Sequence, residues 1–152
     1  MTAHWRYLSY VLRHKWFVFL ECWAHGLIWR GLIHDWSKFL PCEWGPYAAR
    51  FYSDRPKTLQ TLRDYSRAWN HHQKVNDHHW QYWLLTFDTG QEVALEMPER
   101  CVVEMICDWR GAGRAQGKPD TVAWYRENRD KMRLHDSTRQ TVEQLLGLGV
   151  EG

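Results

Sequence analysis

Apolar and aromatic residues recur every three or four positions through the first thirty residues of the chain: Trp5, Leu8, Leu12, Trp16, Phe19 and Trp23. This spacing places them on one face of an α-helix. Gly26 and Gly31 predict a break between residues 24 and 31. Glu21 and His25 interrupt the run, which is therefore shorter than the roughly 18 uncharged apolar residues of a membrane span. The pattern predicts a core helix.

The rest of the chain continues with helical spacing and turn residues, and it shows no internal repeat. Residues 31–41 predict a second helix or short turn that ends at Pro41. Residues 88–98 predict a loop with a brief strand at 93–95, and the glycine-rich residues 111–120 predict a linker. Further helices are predicted over residues 42–53, 58–87, 99–111, 121–133 and 137–147, and the helix over 58–87 is either continuous or kinked near Asn76 and Asp77. We therefore predict one compact all-α domain that spans residues 1–152.

Charge and cysteine usage exclude several classes of protein. The formal net charge of +2 is too small to indicate a nucleic acid or an acidic membrane as the partner. The four cysteines form no CxxC pair, which argues against a zinc ribbon, and nothing else is typical of a secreted, disulfide-stapled domain. We expect a cytoplasmic protein with free thiols. The excess of tryptophan, 11 residues, is compatible with a homodimer.

Ionisable residues lie where the sequence is most apolar. His34 and Asp35 are adjacent in "GLIHDWSKFLP", and His14 and Asp108 lie in apolar helical stretches. Burying unpaired charge is costly, but a bound cation would compensate the carboxylates and hold the imidazoles neutral. We therefore predict a metal site formed by His14, His34, Asp35 and Asp108. Imidazole with carboxylate suits Mn, Co, Fe, Ni or Zn, and Mg is compatible as well.

The nine histidines cluster, and four of them lie in "NHHQKVNDHHWQYW". On one continuous helix, residues seven apart lie on the same face. His72, Asn76 and His79 would then form one stripe, and His71 and His78 its neighbour. One stripe would face a pocket and the other would lie near its rim. The alternative is a solvated helix face beside a tryptophan cluster.

The order His14, then "HD" at 34 and 35, then Asp108 resembles the HD-domain metal-dependent phosphohydrolases, an all-α fold. Lys38 in "HDWSK" resembles a lysine that some branches carry. A closer resemblance is to a small family of unknown function common in phages and bacteria. It rests on "HKWFVF", "HDWSKF", "AWNHHQKVNDHHWQYW" and "DWRGAGRAQGKPD". A phage-encoded protein acting in the host cytoplasm is compatible with this resemblance.

The HD-domain resemblance implies hydrolysis of a nucleotide or related phosphoester by metal-activated water. Lys38, His72, Asn76 and His79 would then be catalytic. Substrate would contact His71, His78, Arg129 and Lys131. Two alternatives stay open: an HD-type di-iron oxygenase, and a non-enzymatic phage accessory protein with a structural metal. The oxygenases carry two further histidines, for which His72 and His79 are the candidates, although a spacing of seven departs from their usual wide separation.

Overall fold

The computed structural model describes residues 2–149 and is mostly helical within that range, as predicted. Two short strands, β1 (Leu84–Thr86) and β2 (Glu92–Ala94), pair antiparallel with Leu84 opposite Ala94. Three 3₁₀ turns cover Trp36–Phe39, Trp80–Trp83 and Arg129–Lys131. The α-helices are α1 (Ala3–Ala24), α2 (Ile28–Ile33), α3 (Pro41–Phe51), α4 (Leu59–Val75), α5 (Glu99–Ala115), α6 (Thr121–Asn128) and α7 (Asp136–Leu145). The all-α class is confirmed; the HD-domain type stays a prediction.

Helix α1 packs against α5, and the approach is closest at Gly111. A Cβ atom at Gly111 would lie 2.8 Å from the backbone nitrogen of Val18 and 3.1 Å from its Cα. The predicted linker over 111–120 is therefore wrong in its first half, since α5 continues to Ala115. Gly111 lies inside the helix because any side chain there would push α1 away. This contact sets the spacing between the two helices that carry His14 and Asp108.

Helix α2 also packs on α1 through a glycine. A Cβ atom at Gly31 would lie 2.8 Å from Cys22 Cβ and 3.2 Å from Phe19 Cα. The break predicted between residues 24 and 31 is confirmed, because α1 ends at Ala24 and Gly26 has a positive φ of 74°. The C-terminal half of α2, which His34 follows, is thereby held against the last turns of α1.

The helix predicted over residues 58–87 is wrong in its second half, and the interruption lies where a kink was one of the predicted options, at Asn76. Helix α4 ends at Val75, and Asn76 takes an extended conformation with φ −115° and ψ 104°. The Asn76 side chain donates a hydrogen bond to the carbonyl oxygen of His72 at 2.8 Å, and such local bonds compete with helical ones. After this break the chain folds back as a 3₁₀ turn and β1. The stripes expected for the four histidines are therefore not built on one helix.

The remaining helix bounds differ little from those predicted. Asp120 caps α6 by accepting from the backbone N–H of Ala123 at 2.9 Å, but α6 ends at Asn128, and a 3₁₀ turn follows. The brief strand predicted at 93–95 is present as β2. None of the helices described in residues 2–149 has the length and apolar character needed to cross a membrane.

Many large apolar side chains remain in contact with solvent. The tryptophans that are more than half exposed all lie in the first quarter of the chain: Trp5, Trp16, Trp23, Trp29 and Trp36. The apolar core instead contains smaller clusters around Met105 on α5 and Tyr7 on α1. The homodimer stays a prediction.

Candidate metal centre

A change of backbone conformation after α2 turns His34 and Asp35 toward the same point. His34 has φ −46° and ψ 130°, and Asp35 has φ 53° and ψ 26°, a left-handed conformation. Among the described residues Asp35 is the only non-glycine with positive φ. Aspartate tolerates this region better than most residues, and such conformations cluster at functional sites. In a regular helix or strand these neighbouring side chains would diverge.

The four predicted metal ligands converge, each offering one atom within 4.8 Å of the others. His14 Nε2 lies 3.4 Å from Asp35 Oδ2 and 3.2 Å from Asp108 Oδ1. His34 Nε2 lies 3.4 Å from each of the same two oxygens. Helices α1 and α5 and the end of α2 supply these side chains. The arrangement fits one cation between two imidazoles and two carboxylates.

A second group of donors lies on the other side of Asp35. Asp35 Oδ1 is 3.2 Å from His72 Nε2 and 3.4 Å from His78 Nε2. Asp35, His72 and His79 form a further set with donor atoms within 4.8 Å of one another, as do His78, His79 and Asp108. His72 and His79 thus meet, with ring centroids 4.7 Å apart, although they do not share a helix. Asp35 therefore uses one oxygen toward each group.

Six donor atoms in this cluster are buried and make no hydrogen bond of acceptable geometry to any residue between 2 and 149. They are His14 Nε2, His34 Nε2, His78 Nε2, His79 Nε2 and both carboxylate oxygens of Asp35. A buried polar atom without a partner costs about 1–3 kcal/mol, and native folds hold few of them. Their convergence is explained if they are metal ligands. Buried His, Asp and Glu clusters in this fold could therefore hold a metal ion.

Two buried glutamates contact the outer nitrogens of these histidines. Glu104, on α5, places Oε1 2.9 Å from His34 Nδ1 and 3.3 Å from His78 Nδ1. Glu43, on α3, places Oε2 2.9 Å from His72 Nδ1 and Oε1 2.7 Å from His71 Nδ1. These contacts leave the Nε2 atoms of His34, His72 and His78 pointing toward Asp35.

The electrostatics of the cluster keep its carboxyl groups ionised. Burial alone would raise the pKa of Asp35, but His34, Lys38 and His72 outweigh it and hold this pKa well below its usual range. Burial likewise opposes ionisation of Asp108, and the His14 and His34 imidazoles that face it hold its pKa well below the usual range. The ligand oxygens are thus anionic and available to a cation.

The pKa values of two histidines in the cluster are shifted in opposite directions. Burial lowers the pKa of His34, but the charge of Asp35, the nearby Asp108 carboxylate and the hydrogen bond to Glu104 raise it well above its usual value. Burial, together with the neighbouring His78 and His72, holds the pKa of His79 well below its usual value. The surroundings therefore favour the protonated form of His34 and the neutral form of His79.

Two lysines contact the His34–Asp35 pair. Lys38 Nζ lies 2.5 Å from Asp35 Oδ2; burial would lower the pKa of Lys38, but Asp35 and Asp108 raise it. Lys15 donates to the carbonyl oxygen of His34, which fixes the backbone at the HD pair. Lys38 is thus a permanent cation at the edge of the candidate metal site.

The other predicted site residues are placed differently. Asn76 does not point into the site, because its amide donates to Ser37 Oγ at 2.9 Å and to the His72 carbonyl. The His71 side chain is 39% exposed beside Glu43, whereas His78, expected with it, is buried within the cluster. Arg129 pairs with Glu143 at 3.1 Å.

A cavity of about 330 Å³ opens beside the metal cluster and has Asp108 and His79 in its wall. Its lining is largely aromatic: Trp69, Trp80, Trp109 and Trp124. Lys131 and Asn128 add polar groups, and the Lys131 ammonium donates to Asn128 Oδ1 at 2.9 Å. A larger cavity of about 1020 Å³, beside Asp54 and Thr58, is lined by none of the cluster residues within the described chain.

Sequence reasoning missed Glu43, Glu104 and this cavity. Glu104 lies four residues before Asp108 on α5, so the two carboxylates share a helix face. Glu43 lies in the first turn of α3, where a negative charge also complements the helix dipole. For Glu43 and Glu104 alike, the sequence signal was a carboxylate within an apolar helical stretch. The same signal led to a predicted site residue only at Asp108. The cavity depends on the end of α4 at Val75; the sequence allowed a kink near Asn76 but did not predict that the helix ends there.

Comparison with known proteins identifies the family but no relative of known activity. A family model described as "Family of unknown function (DUF5662)" matches residues 3–148, nearly the whole chain. No curated protein and no solved structure matches. The predicted membership in a family of unknown function is thereby confirmed, and the resemblance to HD-domain phosphohydrolases stays a prediction.

Proposed function

The chain belongs to this family of unknown function, and we propose that it is a metal-dependent phosphohydrolase acting on a nucleotide or related phosphoester. The observation that carries the proposal is the convergence of four unpartnered imidazole nitrogens on the buried Asp35 and Asp108 carboxylates, next to a cavity that reaches Asp108 and His79. A metal site and a substrate-sized cavity that share wall residues are typical of a metalloenzyme.

The donor set fits divalent transition metals that accept imidazole and carboxylate ligands. His14, His34, Asp35 and Asp108 would hold one cation, and Asp35 with His72, His78 and His79 would hold a second. A cation bound there would lower the pKa of a bound water and offset negative charge on a phosphoryl oxygen. Asp108, whose side chain is 15% exposed, lies at the boundary between this cluster and the cavity.

Lys38 is the protein's own source of positive charge at the site. Its ammonium contacts Asp35 Oδ2, so it lies within reach of groups held by that carboxylate. Charge fixed in a buried site stabilises a developing anion better than charge in water. We assign Lys38 to stabilisation of the phosphoryl oxygens. Asn76, which contacts Ser37 and His72, orients the cluster without touching substrate.

The aromatic cavity suits a substrate with a planar ring. Its volume of about 330 Å³ is at the small end of the range for ligand pockets. Tryptophan faces stack on nucleobases regardless of sequence, and the Lys131 ammonium offers a cation for a phosphate. A nucleoside phosphate would therefore place its base among the tryptophans and its reacting phosphate at Asp108.

A di-iron oxygenase is the second candidate, and the second donor group favours it. Asp35 has one carboxylate oxygen toward each group, so a metal pair would share this residue. Histidine and carboxylate ligands also suit iron. The two candidates differ in metal content and in the reaction, and one preparation can be tested for both.

The test begins with metal analysis of the purified chain. Release of phosphate from nucleoside mono-, di- and triphosphates is then measured with Mn²⁺, Co²⁺, Ni²⁺ and Mg²⁺. We expect phosphate release that is lost with a chelator and in Asp35→Asn, a change that keeps the left-handed backbone favourable. The matched control is Asp88→Asn, on an exposed loop, which should retain activity.

Each other outcome has a distinct meaning. Two irons per chain, a coloured protein and oxygen consumption without phosphate release would support the oxygenase. A metal with neither reaction would support a structural role in an accessory protein. A wild-type chain that binds no metal would overturn both enzymatic candidates.

A further inference from the structure

We propose that Glu43 and Glu104 are positioning residues that hold His72, His34 and His78 in the tautomer with a proton on Nδ1, so that Nε2 faces the metal. The inference rests on the metal centre of the proposed function and adds to it the residues that orient the ligands. Neither glutamate is among the ligands proposed above. Both side chains are almost fully buried, with exposures of 0% for Glu43 and 3% for Glu104.

Both carboxylate oxygens of Glu104 have partners that fix the position of its side chain. Oε1 faces His34 Nδ1 and His78 Nδ1 at 2.9 and 3.3 Å, and Oε2 pairs with Arg30 Nε. Arg30 is fixed in turn by Asp77, through its Nη2. An ionised carboxylate accepts hydrogen bonds but cannot donate them. The proton in each contact therefore belongs to the histidine, and it resides on Nδ1.

Glu104 could instead have been a metal ligand, since it and the Nδ1 atoms of His34 and His78 form a set of donors within 4.8 Å of one another. Arg30 argues against this assignment. A guanidinium paired with the Glu104 carboxylate would repel a second cation at the same oxygens. The unpartnered atoms of these histidines are also the Nε2 atoms, on the opposite side of each ring.

Glu43 performs the same task for the second donor group. Its Oε2 lies 2.9 Å from His72 Nδ1 and accepts from Ser37 Oγ at 3.2 Å. Its Oε1 lies 2.7 Å from His71 Nδ1. His72 is thus fixed with Nε2 at 3.2 Å from Asp35 Oδ1. His71, which is partly exposed, shields the outer face of Glu43 and contributes no ligand.

The two glutamates serve different parts of the centre, and this makes the inference specific. Glu104 orients His34 in the first donor group and His78 in the second, so its loss should weaken both. Glu43 orients only His72, so its loss should weaken the second group alone. Removing a hydrogen-bond partner of a metal ligand typically costs 10–100-fold in metal affinity. A purely structural role would not separate the two sites in this way.

The experiment titrates the metal-free full chain with Zn²⁺ and measures affinity and stoichiometry. In Glu104→Gln we expect affinity to fall about 10–100-fold at every site. In Glu43→Gln we expect the same loss for one zinc ion and unchanged binding of the other. The matched control is Glu127→Gln, an exposed position on α6, which should bind zinc as the wild type does. Equal affinities in the wild type and both variants would overturn the inference.

Nitrogen NMR of the histidine rings gives a readout that needs no variant to fold. In the zinc-loaded wild type, His34, His72 and His78 should show a protonated Nδ1 and a metal-bound Nε2. Metal on Nδ1 of any of the three would overturn the inference. If the wild type binds no zinc, the proposed function fails separately. The inference is then decided on the metal-free chain at a pH high enough for these imidazoles to be neutral, where a proton on Nδ1 of each ring sustains it and a proton on Nε2 rejects it.

Discussion

Gly111→Ala tests whether the packing of α1 on α5 sets the geometry of the metal centre. The added Cβ would lie 2.8 Å from the Val18 nitrogen and 3.1 Å from its Cα, whereas unstrained carbon contacts need about 3.5–4.0 Å. The helices must therefore separate locally by roughly 1 Å. Overpacking of this kind costs about 1–3 kcal/mol, which corresponds to a fall in Tm of roughly 2–12 °C for a chain of this size.

The same displacement should weaken metal binding. Val18 lies one helical turn beyond His14, and Gly111 lies just after Asp108, so a shift at the contact separates His14 Nε2 from Asp108 Oδ1, now 3.2 Å apart. Metal–ligand distances tolerate only about 0.2 Å, and we expect zinc affinity to fall by about tenfold or more. The assays are thermal unfolding monitored by circular dichroism and zinc titration by calorimetry.

Gly45→Ala is the matched control for this prediction. Gly45 also lies inside a helix, α3, but a Cβ there would meet nothing within 4 Å among the described residues. Because Pro46 follows and disfavours a Cβ atom on a preceding helical residue, we expect no gain in stability from this change, and zinc affinity should stay as in the wild type. Val18→Ala in the Gly111→Ala background should restore only part of the stability, because backbone atoms of Val18 remain too close. A Gly111→Ala chain as stable as the wild type, with unchanged zinc affinity, would refute the reasoning.

Three further predictions concern the metal and the cavity. Zinc affinity should increase with pH through and above pH 6.5, because the pKa of His34 is raised well above its usual value and its proton must leave before Nε2 binds metal. Calorimetric titration at several pH values measures this dependence, and an affinity that does not change with pH would contradict the prediction. Zinc at 100 times its Kd should stabilise the fold by about 2.7 kcal/mol, or roughly 5–11 °C in Tm, and a chelator should abolish the gain; an unchanged melting curve would contradict a folded-state site. Lys131→Met should raise KM for a nucleotide with little change in kcat, since a contact made equally in ground and transition states affects binding alone. Arg129→Met, outside the cavity lining, should leave KM unchanged, and equal effects of both changes would contradict this substrate site.

The helical class and the convergence of four ligands could be predicted from the sequence because both depend on short-range patterns. The apolar spacing predicted α1 itself, but the predicted stripe is wrong about its buried side: Trp5, Trp16 and Trp23 are exposed, and His14 lies on the opposite, buried face with Val11 and Val18. His34 and Asp35 stood out as charges in an apolar stretch. Burying an ionisable side chain without a partner is costly. The sequence therefore predicted that the ionisable residues in the apolar helical stretches contact one another. Their meeting in space is confirmed; that they bind a metal stays a prediction.

The remaining features depend on contacts that a single sequence does not reveal. Gly111 in a glycine-rich stretch is indistinguishable from a loop glycine, because close helix packing and chain flexibility both require the absence of a side chain. At Asn76 the sequence indicated where the helix could kink but not that it ends. The apolar spacing of the residues that follow is satisfied by a 3₁₀ turn and a strand as well as by a longer helix. Only the hydrogen bond from the Asn76 side chain to His72 decides between them.

The place of Asp35 explains why the two donor groups are not independent. Its left-handed backbone turns a short carboxylate inward beside His34, and its two oxygens face different sets of imidazoles. A longer side chain could not be held so rigidly, and an amide in its place would lose the charge that both groups need. Glu104 adds a second link, since it contacts one histidine of each group. Cations bound at the two positions would therefore influence each other through Asp35 and Glu104, whereas Glu43 acts on one group alone. Unequal responses to changes at these three carboxylates would accordingly distinguish a coupled pair of cations from a single ion.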